Sequence, residues 1–141
     1  MRELSSQIGV VIMLAVCAAA LRWGFTRERA VAALVAVGWL SLLASEVVLH
    51  EAAPAIAITV MDALIFGLLL AITWRRTPDW AILALGFQTI ALGVHVIRHL
   101  PPHMPTWTYM TALAGSSYGV LAALAWGAWN ARRRRRSGEY S

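Results

Sequence analysis

Along the chain, apolar stretches of about 20 residues alternate with short polar breaks. That is the length a helix needs to cross a hydrocarbon core of about 30 Å. Five such stretches are read, at 4–22, 30–49, 54–74, 79–97 and 107–130. The breaks at 22–29, 50–54, 75–78 and 98–105 carry charge, proline or both. Connections this short imply antiparallel neighbours. Pro54 suits the first turn of the third span, where its missing N–H costs nothing. Trp23, Trp74, Trp80, Trp107 and Trp129 fall near span ends, where amphipathic rings favour the headgroup layer. The expected fold class is therefore all-α, an integral membrane bundle of five transmembrane helices. One domain over 1–131 is followed by an Arg-rich tail over 132–141.

Composition supports the same solvent. Of 141 residues, 60% are hydrophobic and 13% charged, with a mean hydropathy of +0.66. A soluble domain averages about 25% charged residues, and one with so few could not cover its surface. All twelve basic residues are Arg. The absence of Lys excludes a lysine Schiff base to any carbonyl cofactor or substrate. One cysteine, Cys17, excludes an internal disulfide and a cysteine-based metal site.

Charge sets the orientation. The first loop (Arg22, Arg27, Arg29), the third loop (Arg75, Arg76) and the tail (Arg132, Arg133, Arg134, Arg135, Arg136) place ten arginines on one side. Only Arg2 and Arg98 fall on the other. Positive charge stays inside, so the N-terminus is expected in the periplasm and the C-terminus in the cytoplasm. The tail run reads as a membrane-surface anchor that attracts anionic lipid, rather than as a nucleic-acid patch. An alternative makes the first span a signal peptide cleaved near Ala18-Ala19-Ala20, leaving four spans with the same orientation.

Ionisable groups inside a membrane are costly and mark function or a specific bond. Here Glu46, His50, Glu51, Asp62, His95, Arg98, His99 and His103 all belong to the extracytoplasmic half. Glu46 and His50 are four apart, as are His95 and His99, so each pair shares a helix face. Gln88 lies seven residues before His95, on nearly the same stripe. Asp62 is about 12 Å inside Pro54. Gln88 reaches a similar depth on the next helix, so an Asp62–Gln88 hydrogen bond is expected.

The candidate polar pocket is thus Glu46, His50, Asp62, Gln88, His95, Arg98 and His99. Histidine with carboxylate suits a divalent metal, with His50, His95 and His99 as candidate ligands. Two histidines on different helices could clamp a haem. Asp62, Glu46 and the histidines could instead relay protons. Against these stands a plain alternative: residues at span ends are wet headgroup groups, Glu46 pairs with Arg98, and Asp62 makes a structural interhelical bond.

The fifth span carries small residues at near four-residue spacing, Ala112, Gly115, Ser116, Gly119 and Ala123, with Gly115 to Gly119 fitting GxxxG. Such a stripe serves contact with another subunit, in a homo-oligomer or a larger complex, or packing inside the bundle. No nucleotide-binding, metalloprotease, nucleophile-elbow or C-x-x-C motif occurs, and no catalytic residue is assigned.

The segments Ala20-Leu-Arg-Trp-Gly24 with Glu28-Arg29, and Phe87-Gln88 through His95, resemble small polytopic membrane proteins of alphaproteobacteria. That resemblance implies a bacterial inner-membrane setting and carries no activity. Two functional expectations follow. The first is a non-enzymatic accessory subunit of a larger membrane complex. The second is a small transporter, or an intramembrane metal- or haem-binding protein, working through the periplasmic-side cluster.

Overall fold

The computed structural model describes residues 2–49, 55–75, 77–98 and 105–138, and side chains for all of these except 2–7, 42, 45–49 and 55. Five α-helices follow one another: α1 (Arg2–Trp23), α2 (Thr26–Leu49), α3 (Ala55–Arg75), α4 (Asp79–Arg98) and α5 (Thr106–Arg136). The protein is all-α, as the apolar spacing predicts.

The ends of the helices follow local chemistry. Between α1 and α2 the chain turns within Gly24 and Phe25. A Cβ on Gly24 would lie 2.7 Å from the Glu28 Cβ, so only glycine permits this corner. Pro78 precedes α4, and its carbonyl accepts the N–H groups of Ala81 and Ile82 at 2.9 and 3.3 Å. Pro105 does the same for Tyr109 at the head of α5, at 3.1 Å. Proline there gives up no helical bond.

Two boundaries differ from the sequence reading. The second helix starts at Thr26 rather than at 30, and the fifth runs to Arg136 rather than 130. Charge ends an apolar span but not a helix: arginine is a good helix former and favours the negative C-terminal end of the dipole. The chain stops being helical at Ser137, whose N–H donates to the Arg133 carbonyl at 3.1 Å, and Gly138 follows at φ 70°. The expected start of the third helix at Pro54 lies outside the described residues.

In cross-section the helices close a ring, α1–α2–α3–α4–α5 and back to α1, with α2 also touching α5. The contact of α4 with α5 is the most extensive, and α3 makes none with α5 among the described residues. Met13, Cys17, Val31, Val35, Leu69, Ala84, Leu121 and Leu124 lie in the core. Close approaches are built on glycine. Gly119 of α5 meets the Phe87 ring, Gly127 meets Trp80, and Gly38 of α2 meets Met61, where added Cβ atoms would collide.

Much of the outer surface is apolar. Ile8, Val11, Val37, Leu40, Ile56, Leu64, Ile82, Ile90, Val96 and Trp107 are all exposed. An amphipathic soluble helix hides that stripe. Among the described residues two helical segments, Ile56–Arg75 and Asp79–Arg98, are long and apolar enough to cross a membrane, with hydropathies of 2.3 and 1.8. Only 17% and 39% of their apolar windows is buried, so most of that surface faces outward. The apolar part of α1 described in full, Ile8–Trp23, is shorter. In α2 and α5, charged first and last turns dilute an apolar middle.

Candidate functional site

At the end of the bundle where α4 finishes and α3 and α5 begin, Gln88 and His95 converge on Asp62, and Thr59 and Tyr109 converge on His95. The carboxylate of Asp62, on α3, accepts the Gln88 amide at Oδ1 over 2.8 Å, and the same Nε2 donates to the Asp62 backbone carbonyl at 3.0 Å. The second oxygen, Oδ2, lies 2.9 Å from His95 Nε2. The other ring nitrogen, Nδ1, is 2.9 Å from the Tyr109 hydroxyl and 3.1 Å from Thr59 Oγ1. Beyond it, the Arg98 guanidinium sits 4.3 Å above the Tyr109 ring. The rings of His95 and Tyr109 meet edge to face at 5.7 Å.

Helical period explains this convergence. Thr59 and Asp62 are three apart and share a face of α3. Gln88 and His95 are seven apart, two turns along α4, so they grip Asp62 from below and above. The network is dry: Gln88, His95 and Tyr109 are 3%, 5% and 1% exposed, and the Asp62 side chain 18%. Burial of this order favours bonded polar groups, and the Asp62 carboxylate, the Gln88 Nε2 and both His95 nitrogens have partners.

Hydrogen-bond roles follow from the donor inventory. A carboxylate only accepts, so with Asp62 ionised His95 Nε2 carries the hydrogen that faces Oδ2. Nδ1 then either accepts from a hydroxyl, with the ring neutral, or donates to one, with the ring charged. Tyr109 and Thr59 can serve both states, because a hydroxyl rotates and both donates and accepts.

Asp62 and Gln88 also face a cavity of about 320 Å³, shared by all five helices. It lies between α3 and α5, whose backbones do not approach each other closely among the described residues. Its wall is otherwise mostly apolar, including Trp39, Met61, Ile65, Met110 and Leu113. Polar groups concentrated on one side of an apolar cavity are the usual form of a small-molecule site.

The remaining candidates sort as follows. The Glu46 side chain, His50 and His99 lie outside the described residues. Arg98 stacks on Tyr109. Among the described residues there is no group of three or more His, Cys, Asp or Glu placed to hold a metal. Both nitrogens of His95 are engaged, so a metal or haem iron there would have to displace Asp62 or the hydroxyls.

The small-residue stripe of α5 divides. Ser116, Gly119 and Ala123 are buried, Gly119 against Phe87, and Ala112 is half-buried; Gly115 faces open space. The arginine run divides as well. Arg132 stacks over Trp23 at 4.2 Å and Arg135 over Phe25 at 5.1 Å, and Arg135 donates to the Gly24 carbonyl at 3.2 Å. Arg133 and Arg136 are exposed, and Arg134 is exposed beside Asn130 and Ala131 in the wall of a cavity at this end.

Three residues carry more than the sequence suggested. Thr59 was visible only as the residue one turn before Asp62. Tyr109 offered a hydroxyl with no direction, because its partner is on another helix. Glu28 reads as a loop charge, yet it is 7% exposed and its Oε2 has no hydrogen-bond partner among the described residues.

No protein-family model matches the chain, and neither the curated proteins nor the solved structures contain a match.

Proposed function

We propose that all five helices cross a bacterial inner membrane, N-terminus periplasmic and C-terminus cytoplasmic, and that the protein is a small proton-coupled transporter. The helices of 20 to 24 residues span about 30–36 Å, matching the bilayer core. The arginine asymmetry supports the orientation, and the outward apolar surface supports lipid as solvent. In this frame the Asp62 network lies in the periplasmic leaflet.

The observation that carries the transport reading is Asp62 itself. It is a carboxylate inside a bundle, held on one oxygen by Gln88 and on the other by His95, and it faces a cavity. A carboxylate so placed binds either a proton or the cationic head of a ligand, and each excludes the other. The apolar wall suits the body of a small organic cation. When the cation docks on Asp62, the proton held by the Asp62–His95 pair leaves through the hydroxyls at Nδ1, Tyr109 or Thr59, towards the periplasmic end.

Benzyltrimethylammonium tests this, because its permanent charge stops it crossing lipid unaided. In proteoliposomes with an imposed proton gradient, wild type is expected to move it and Asp62→Asn to fail. Equal movement by both proteins, or by neither, would refute the reading.

A second reading, a non-enzymatic accessory subunit of a larger complex, is favoured by Gly115, whose open face leaves room for a neighbouring helix.

A further inference from the structure

At the opposite end of the bundle, where α1 ends and α2 and α4 begin, lies a second cavity of about 370 Å³. Nothing in the proton network reaches it. Its wall includes Arg27, Glu28, Asp79, Trp80, Asn130 and Arg134. Glu28 is the unusual member: its side chain is buried against the Gly24 corner, and its Oε2 has no donor among the described residues. A buried carboxylate oxygen without a partner costs more than almost any other polar defect, so a donor from outside the chain is called for.

The charges around it describe that donor. Two arginines and two acids share the wall, so a purely cationic ligand would meet Arg27 and Arg134, and a purely anionic one would meet Glu28 and Asp79. A zwitterion satisfies both. The start of α4, which opens at Asp79, adds the positive end of a helix dipole, suited to phosphate. The same end of the molecule carries the Trp23–Arg132, Phe25–Arg135 and Trp129–Arg132 stacks. Aromatic and basic side chains together are the signature of the headgroup layer.

We propose that this cavity binds a phosphoryl-ethanolamine group, with the primary ammonium donating to Glu28 and the phosphate held by Arg27, Arg134 and the α4 N-terminus. A phospholipid of the cytoplasmic leaflet or a soluble phosphoethanolamine could present this group. The inference rests on the membrane reading but not on transport at Asp62, and Asp62→Asn should leave this site unchanged.

The test is native mass spectrometry of the detergent-extracted full chain with added dimyristoyl phosphatidylethanolamine, phosphatidylcholine or phosphatidylglycerol. Phosphatidylcholine lacks N–H donors and phosphatidylglycerol lacks the ammonium. Wild type should favour the ethanolamine lipid by about tenfold over each, the scale of one charge-assisted hydrogen bond. Glu28→Gln should erase that preference, whereas Arg134→Ala should weaken all three lipids together. Binding of the three lipids alike by wild type, or an unchanged preference in Glu28→Gln, would overturn the proposal. A well-folded Arg134→Ala that loses no lipid affinity would remove the phosphate half of it. Given the preference, competition by free phosphoethanolamine assigns the soluble source, and its failure to compete assigns the lipid.

Discussion

His95 places Nε2 2.9 Å from the Asp62 carboxylate, and the same imidazole presents Nδ1 to the Tyr109 hydroxyl at the same distance. One ring thus joins α3, α4 and α5 through three side chains that are far apart in sequence. Each bond orients the next: Gln88 pins the carboxylate, the carboxylate selects the ring hydrogen, and the ring aligns the phenol. Such a centre is worth more as a unit than its bonds taken singly, and removing one member leaves a buried partner unpaired.

Asp62→Ala should therefore cost more than its size suggests, about 1–3 kcal/mol, because His95 Nε2 loses its acceptor while Gln88 keeps the backbone carbonyl of residue 62. Asp62→Asn keeps the shape and should unfold at nearly the wild-type temperature while losing exchange of proton for cation. Thermal melting in detergent, run beside the flux assay, separates the two effects.

Tyr109→Phe removes one hydroxyl and leaves Thr59 beside Nδ1. A loss of about 1 kcal/mol is expected in stability. Transport should persist with a changed pH profile. Complete loss at every pH would place Tyr109 on the sole proton route and exclude Thr59 as a substitute.

Leucine scanning of the α5 stripe discriminates internal packing from subunit contact. Gly119→Leu drives a side chain into the Phe87 ring and should destabilise the α4–α5 pair by about 1–3 kcal/mol or more. Gly115→Leu meets open space and should leave the melting temperature unchanged. A fall in native mass with Gly115→Leu would instead assign that face to a second subunit.

Arginines of the terminal run should not be equivalent. Arg132→Ala and Arg135→Ala each lose a stack on the α1–α2 corner, about 0.5–1 kcal/mol. Arg133→Ala makes no such loss. Denaturation midpoints of the three single variants provide the measurement.

Orientation is testable with thiols because Cys17, the native cysteine, is buried. A membrane-impermeant maleimide should spare the wild type in intact cells. Thr106→Cys, exposed at the head of α5, should label from outside, and Ser137→Cys only after permeabilisation. The reverse pattern would invert the topology.

The sequence by itself determined the helices and much of the polar stripe. Five helices were legible because a run of about 20 apolar residues bounded by charge or proline admits little else. The pairing of Asp62 with Gln88 was legible too, since depth along two antiparallel neighbours can be counted from the loop that joins them. Spacing alone also placed Gln88 and His95 on one face of α4.

Only the tertiary structure decided what that face meets. Whether His95 would turn towards Asp62, towards a metal or towards lipid depends on the rotation of α4 about its axis, and the packing of Phe87 on Gly119 and Trp80 on Gly127 sets that rotation. The same contacts bring Tyr109 to Nδ1 and hold α3 away from α5, which opens the cavity. Burial of Glu28 was hidden for a related reason. Charge marked the end of an apolar span, whereas the helix began a turn earlier and the tight corner at Gly24 folded it inward. Local pattern reports period and polarity, but the partners of a side chain depend on helix–helix geometry that no single segment encodes.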